Sequence, residues 1–93
     1  MVVQNKFNLG PIEITGVILA TDVDRHGQIQ EIALETEDFQ KYIIQPNTKG
    51  KTLIEKILNR VTILGMVTGR DEDGNSIVQV QDYKVLDTYD DMV

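Results

Sequence analysis

The stretch Val61–Leu86, VTILGMVTGRDEDGNSIVQVQDYKVL, predicts two long β-strands joined by a tight acidic turn. Every second residue of its first half is apolar or glycine, which is typical of a strand with one buried face. That face comprises Val61, Ile63, Gly65, Val67 and Gly69. The glycines mark the points at which a strongly curved strand can bend. The opposite face also has apolar members, Leu64 and Met66, so this half predicts a strand that is central or strongly curved.

The segment DEDGN, residues 71–75, supplies the glycine that a tight hairpin turn needs. The chain then returns with Val78 and Val80 inward and Ile77 outward. The inward phase shifts before Tyr83 and Val85, which predicts a β-bulge between the two halves of this strand.

Three more strands are expected upstream, in IEITGVILAT (12–21), QIQEIALETED (28–38) and QKYIIQ (40–45). In the first, Gly16 sits in the middle of the buried face, where a missing side chain favours a bend or a close neighbouring strand. In the second, Ile32 and Leu34 are expected inside, and a bulge is expected near Ile29. The predicted solvent face of that strand comprises Glu31, Ala33, Glu35 and Glu37.

A short helix is predicted in TLIEKILN, residues 52–59, because the apolar spacing changes from two to three and four. Thr52 and Glu55 have the spacing of a capping box, and the helix is expected to end near Asn59. The predicted apolar stripe comprises Leu53, Ile54, Ile57 and Leu58.

The resulting order is β-β-β-α-β-β, an all-β fold with one short helix. It resembles the OB fold, a five-stranded, partly open barrel, and is similar to small bacterial OB-like domains. The resemblance covers residues 12–86 and implies an OB-like barrel domain, preceded by a loosely held lead-in (1–11) and followed by an acidic tail (87–93). An SH3-like barrel and a ferredoxin-like sheet are the alternatives.

The 93 residues carry a formal net charge of −6 and no cysteine. Residues 39–60 contain five basic residues and one acidic residue, so they carry +4 and the rest of the chain carries −10. No apolar run is long enough to span a membrane, and the first residues lack the pattern of a signal peptide. A cytoplasmic protein is therefore expected, without a disulfide or a thiolate metal site.

Three motifs resemble ligand-binding loops but lack residues that those loops require. DVDRHG and DEDGN resemble parts of a calcium loop, but Ala33 and Ser76 occupy positions that need a carboxylate and a glycine. Gly50-Lys51-Thr52 resembles the end of a phosphate-binding loop, but Gln45 stands where its first glycine belongs. His26 is the only histidine and has no predicted partner. We therefore expect neither a cofactor nor a metal nor catalysis.

The OB resemblance implies a binding face on the second and third strands and the loops beside them. The candidate ligand-binding residues on this face and in the basic segment are Arg25, His26, Lys41, Tyr42, Lys49, Lys51, Lys56 and Arg60. Nucleic-acid binding needs a basic groove and aromatic platforms, whereas this face carries several glutamates and the acidic loop 71–73. The expected function is a non-catalytic module that contacts a protein or forms a homo-oligomer. Weak binding of single-stranded nucleic acid is the alternative.

Overall fold

The computed structural model describes residues 10–87, which form five strands and one short helical segment. The elements are β1 (Gly10–Val23), β2 (Ile29–Glu35), β3 (Lys41–Ile44), α1 (Thr48–Thr52), a 3-10 helix (Leu53–Lys56), β4 (Arg60–Arg70) and β5 (Ser76–Asp87). The predicted mostly-β class, with five strands and one short helix, is confirmed. β1 begins at Gly10 and β5 ends at Asp87, so these strands include the last two residues of the expected lead-in and the first residue of the expected tail. The rest of the lead-in, 1–9, and of the tail, 88–93, lies outside the described residues.

Across the sheet the strands follow the order β1-β2-β3-β5-β4, which differs from their order along the chain. The difference arises because β3 pairs in parallel with β5, while every other pair is antiparallel. β4 pairs in turn with β1, so the hydrogen-bonded order closes on itself.

Strand β1 is shared between two neighbours. Its first half, from Gly10 to Val17, pairs with β4, and its second half, from Val17 to Val23, pairs with β2. One long strand therefore belongs to two parts of the sheet, and its partner strand changes at Val17. The predicted irregularity near the start of β2 is confirmed, since the β1–β2 register shifts on both sides of Asp22.

The hydrophobic core cluster contains side chains from all five strands and from the 3-10 helix. Its members are Ile14, Ile18, Ile32, Leu34, Ile44, Leu53, Val61, Ile63, Val67, Val78 and Val80. The predicted inward faces of β4 and β5 are therefore confirmed, and so is the bulge in β5, where Gln81 is the extra residue between the partners of Leu64 and Gly65. Burying a valine, leucine or isoleucine contributes about 1.5–3 kcal/mol each, so this cluster is the main stabilising feature of the fold.

The prediction that Ala33 faces solvent is wrong, because its side chain is 0% exposed. Ala33 lies on the outer face of the sheet between Leu19 of β1 and Ile43 of β3, and Ile43 pairs onward with Ile77 of β5. This outer row of apolar cross-strand neighbours covers Ala33. Because charged residues flank Ala33 in the sequence, the local pattern did not predict these apolar neighbours.

The predicted capping box and helix bounds are also wrong. The helix begins after Asn47, whose side-chain oxygen accepts a hydrogen bond from the Gly50 N–H at 2.8 Å. Thr52 caps nothing; its hydroxyl instead donates to the Lys49 carbonyl. Of the predicted apolar stripe only Leu53 is fully buried, while Leu58 is 71% exposed and adopts the positive φ expected at Asn59.

The three hairpin turns share one main-chain hydrogen bond, in which the fourth residue donates its N–H to the carbonyl of the first: Gly27 to Asp24, Phe39 to Thr36 and Gly74 to Asp71. In the β1–β2 turn, Asp24 accepts from the N–H groups two and four residues ahead, and Gly27 has a positive φ. Asp71 and Gly74 repeat this arrangement between β4 and β5. In the β2–β3 turn the position of the glycine is taken by Phe39, whose φ is 66°.

Candidate binding surfaces

The eight predicted site residues do not form one surface. Arg25 and His26 lie exposed in the β1–β2 turn, and Lys41 and Tyr42 lie in β3. The remaining cations follow the chain from α1 to the start of β4: Lys49, Lys51, Lys56 and Arg60. Four of the eight residues line three depressions of different chemistry: Lys41 and Tyr42 line one, Lys51 a second and Arg60 a third.

The first depression, here called the tyrosine pocket, brings Lys41 and Tyr42 together with Arg70. It encloses about 370 Å³ between the ends of β3, β4 and β5 and the start of β1. Tyr42 is half-buried and packs against the core on the same face of β3 as Ile44, so its ring is not a free stacking platform. Arg70 donates from Nη1 to the carbonyl of Gly74 at 2.8 Å.

The second depression, here called the edge groove, has a volume of about 430 Å³. One wall is formed by β2 residues 29–32, and the opposite wall by Gly50, Lys51 and Ile54 of the helical segment. Ile43 and Ile77 lie between the walls. The groove is therefore mainly apolar, with Lys51 on the helical wall and Glu31 on the β2 wall.

The third depression, here called the acidic depression, is lined by Glu35, Glu37, Asp38, Phe39 and Arg60 together with β1 residues 15–17. It measures about 590 Å³ and is open. Phe39 is 80% exposed at its margin. Arg60 is thus among carboxylates rather than beside the lysines of the helix.

The helix lysines are divided as well. The ammonium of Lys49 lies 3.8 Å from a carboxylate oxygen of Asp82 on β5, whereas Lys51 lines the edge groove. Both groups of the Lys49–Asp82 pair are well exposed, and exposed pairs contribute at most about 1 kcal/mol. Lys49 and Lys51 of the basic segment therefore have different surroundings.

The pKa of the Asp71 carboxyl group, in the β4–β5 turn, is shifted from its ordinary value. Desolvation raises the pKa of Asp71, but hydrogen bonds from the main chain and side chain of Asn75 and from the Asp73 N–H outweigh it. The pKa of Asp71 therefore lies below its ordinary value, and the carboxylate acts as a structural acceptor within the turn.

Comparison of the chain with protein-family models, curated proteins and solved structures found no match. The geometry itself must therefore support any functional proposal. Among residues 10–87, no cluster of three or more histidine or acidic side chains is placed to hold a metal ion. No helix in that range has both the length and the apolar character to cross a membrane.

The edge groove was not anticipated from the sequence. A partial signal exists, because Ile77 occupies an outward position in β5 and Ile29 is out of phase with Ile32. The sequence does not show that these residues converge with Ile54. That convergence depends on the parallel pairing of β3 with β5 and on the position of α1.

Proposed function

We propose that this chain is a non-catalytic, OB-like barrel domain that contacts another protein through the edge groove. The strand order β1-β2-β3-β5-β4, with a helix between β3 and β4, supports the OB-like assignment. A reducing compartment such as the cytoplasm agrees with the absence of cysteine.

The edge groove is the observation that carries this proposal. Ile54 is 38% exposed on its helical wall, and Ile29 and Ile77 are half-buried in it. Apolar side chains that line an open groove are a usual mark of a binding surface. The proposal gives the domain no catalytic role.

The test is affinity capture with the wild-type chain and two matched variants, Ile54→Glu and Leu64→Glu. Both introduce a carboxylate at an exposed apolar position, but Leu64 lies on β4, outside the edge groove. We expect a partner that the wild type and Leu64→Glu retain and Ile54→Glu loses. Purified partner and wild type must then bind in calorimetry. A partner retained equally by the wild type and by both variants would contradict a role for the groove.

Binding of single-stranded nucleic acid is the second candidate, favoured by the proximity of Lys41, Tyr42 and Arg70 in the tyrosine pocket. Fluorescence titration with oligo-dT and oligo-rU at low salt tests it. Affinity tighter than about micromolar that falls steeply with salt, and is lost in Lys41→Glu, would place this function first.

Light scattering on the free chain separates a heterologous partner from self-association.

A further inference from the structure

We infer that the edge groove takes an extended segment of a partner protein as an additional strand along the outer edge of β2, residues 29–32. The inference rests on the proposed function and specifies its mode: β-strand addition, in which main-chain hydrogen bonds give affinity and alternate side chains give specificity.

The outer edge of β2 is only partly covered. β3 pairs with β2 at three positions, from Ala33 to Glu35, and ends at Ile44. The chain then moves away from β2, because the Gln45 N–H donates to the carbonyl of Val78 at 2.8 Å. Pro46 follows and has no N–H to continue the ladder. Within the described residues, the first four positions of β2 therefore have a strand neighbour on the β1 side only.

Residues 29–32 all line the edge groove, and β3 pairs with β2 only at residues 33–35. Gln30 is an extra residue between the partners of Asp22 and Val23, so the edge is locally irregular at that position. Unpaired N–H and C=O groups along a strand edge are a template for another strand.

The other groups in the groove define the chemistry of the added strand. Ile54 and Ile77 offer apolar contacts, which favour apolar side chains at alternate positions of the occupant. Lys51 is exposed on the opposite rim, and among residues 10–87 no carboxylate lies within salt-bridge distance of it. Glu31 is exposed on the β2 wall and would repel an acidic side chain placed near it. The occupant is therefore an extended, largely apolar segment whose one acidic side chain lies on the Lys51 side of the groove.

The experiment begins by panning a random heptapeptide phage library against the full chain. An enriched sequence is then synthesised in three forms: unmodified, with its odd-numbered amides N-methylated, and with its even-numbered amides N-methylated. Only alternate amides of an added strand point at β2. We expect one N-methylated form to bind at least tenfold more weakly than the unmodified peptide and the other to bind with little change. Hydrogen exchange should slow in residues 29–32 when the unmodified peptide is bound.

Lys51→Glu tests the charge, with Lys84→Glu as its control, because Lys84 is an exposed cation on β5 outside the groove. We expect Lys51→Glu to weaken the acidic peptide at least tenfold and Lys84→Glu to leave its affinity unchanged. Circular dichroism establishes that both variants fold.

The outcomes separate the inference from the proposed function. Peptides that bind through the groove but tolerate both N-methylated patterns, with no protection at residues 29–32, would overturn strand addition and leave protein contact in place. Failure to enrich any peptide, together with equal capture by the Ile54→Glu variant, would overturn both. Concentration-dependent protection of residues 29–32 in the chain alone would identify a second copy as the occupant and overturn the heterologous partner.

Discussion

Gly16 of β1 lies against the main-chain carbonyl of Glu35 in β2, so closely that a β-carbon at position 16 would overlap that oxygen. The same β-carbon would also come within 2.6 Å of the Leu34 side chain. Neither neighbour can yield easily, since one is backbone within a paired strand and the other is a fully buried core residue. The corner at which β1 passes from one partner strand to the other thus depends on the absence of a side chain.

We predict that Gly16→Ala destabilises the domain by about 3 kcal/mol, because the added methyl forces β1 and β2 apart. Gly69→Ala is the matched control: its β-carbon would meet nothing within 4 Å, and its φ is not positive. The control should change stability by no more than about 0.5 kcal/mol. Urea denaturation measures both. Equal stabilities of the Gly16→Ala and Gly69→Ala variants would mean that β1 and β2 can move apart at Gly16 without loss of stability.

Phe39→Gly is predicted to stabilise the domain by about 1 kcal/mol. A left-handed backbone costs a side chain-bearing residue about 1–2 kcal/mol, while glycine loses about 0.5–1 kcal/mol more entropy on folding. The ring of Phe39 is 80% exposed, so its removal loses little packing. Gly27→Ala makes the reverse change at the equivalent turn position and should destabilise by about 1 kcal/mol or more. A less stable Phe39→Gly variant in thermal unfolding would show that the ring packs in solution.

Asn47→Ala should cost about 2 kcal/mol, since one side chain makes two interactions. Its oxygen caps the Gly50 N–H at 2.8 Å, and its amide nitrogen donates to the Val80 carbonyl at 3.2 Å. Asn47→Ser keeps a capping oxygen but has no amide to donate to Val80, so we expect an intermediate loss. Chemical unfolding of the series distinguishes the two bonds. A loss in Asn47→Ser equal to that in Asn47→Ala would assign the stabilisation to the Val80 bond instead of the cap.

Asp71 should make the stability of the domain depend on pH in the acid range. Its pKa is depressed in the folded state, so its stabilising effect is complete above the ordinary aspartate pKa of about 4 and is lost as the pH falls toward the folded value. Asp71→Asn retains a side-chain acceptor for the turn but has no titrating charge. The difference between the melting temperatures of wild type and variant should therefore shrink between about pH 5 and pH 2. A constant difference over that range would contradict the assignment.

Local patterns were sufficient for most of the strands. Alternation identified the inward faces of β4 and β5, and the phase slip before Tyr83 identified a bulge, since side-chain direction in a strand is fixed by position. The helix was misplaced because Thr52 and Glu55 fit a capping box as well as Asn47 fits a cap. The choice between them depends on contacts far along the chain, such as the bond from Asn47 to Val80.

The order of apolar, polar and glycine residues along this chain determines five strands, their inward faces and their tight turns, because those features depend on residues a few positions apart. Tertiary structure alone decided that β3 lies beside β5, that Ala33 is covered, and that Ile54 faces residues 29–32 across the edge groove. Each of these features involves residues that are distant in the sequence. They depend on which strands pair with each other and on where the chain leaves the sheet. A local sequence pattern contains no information about either.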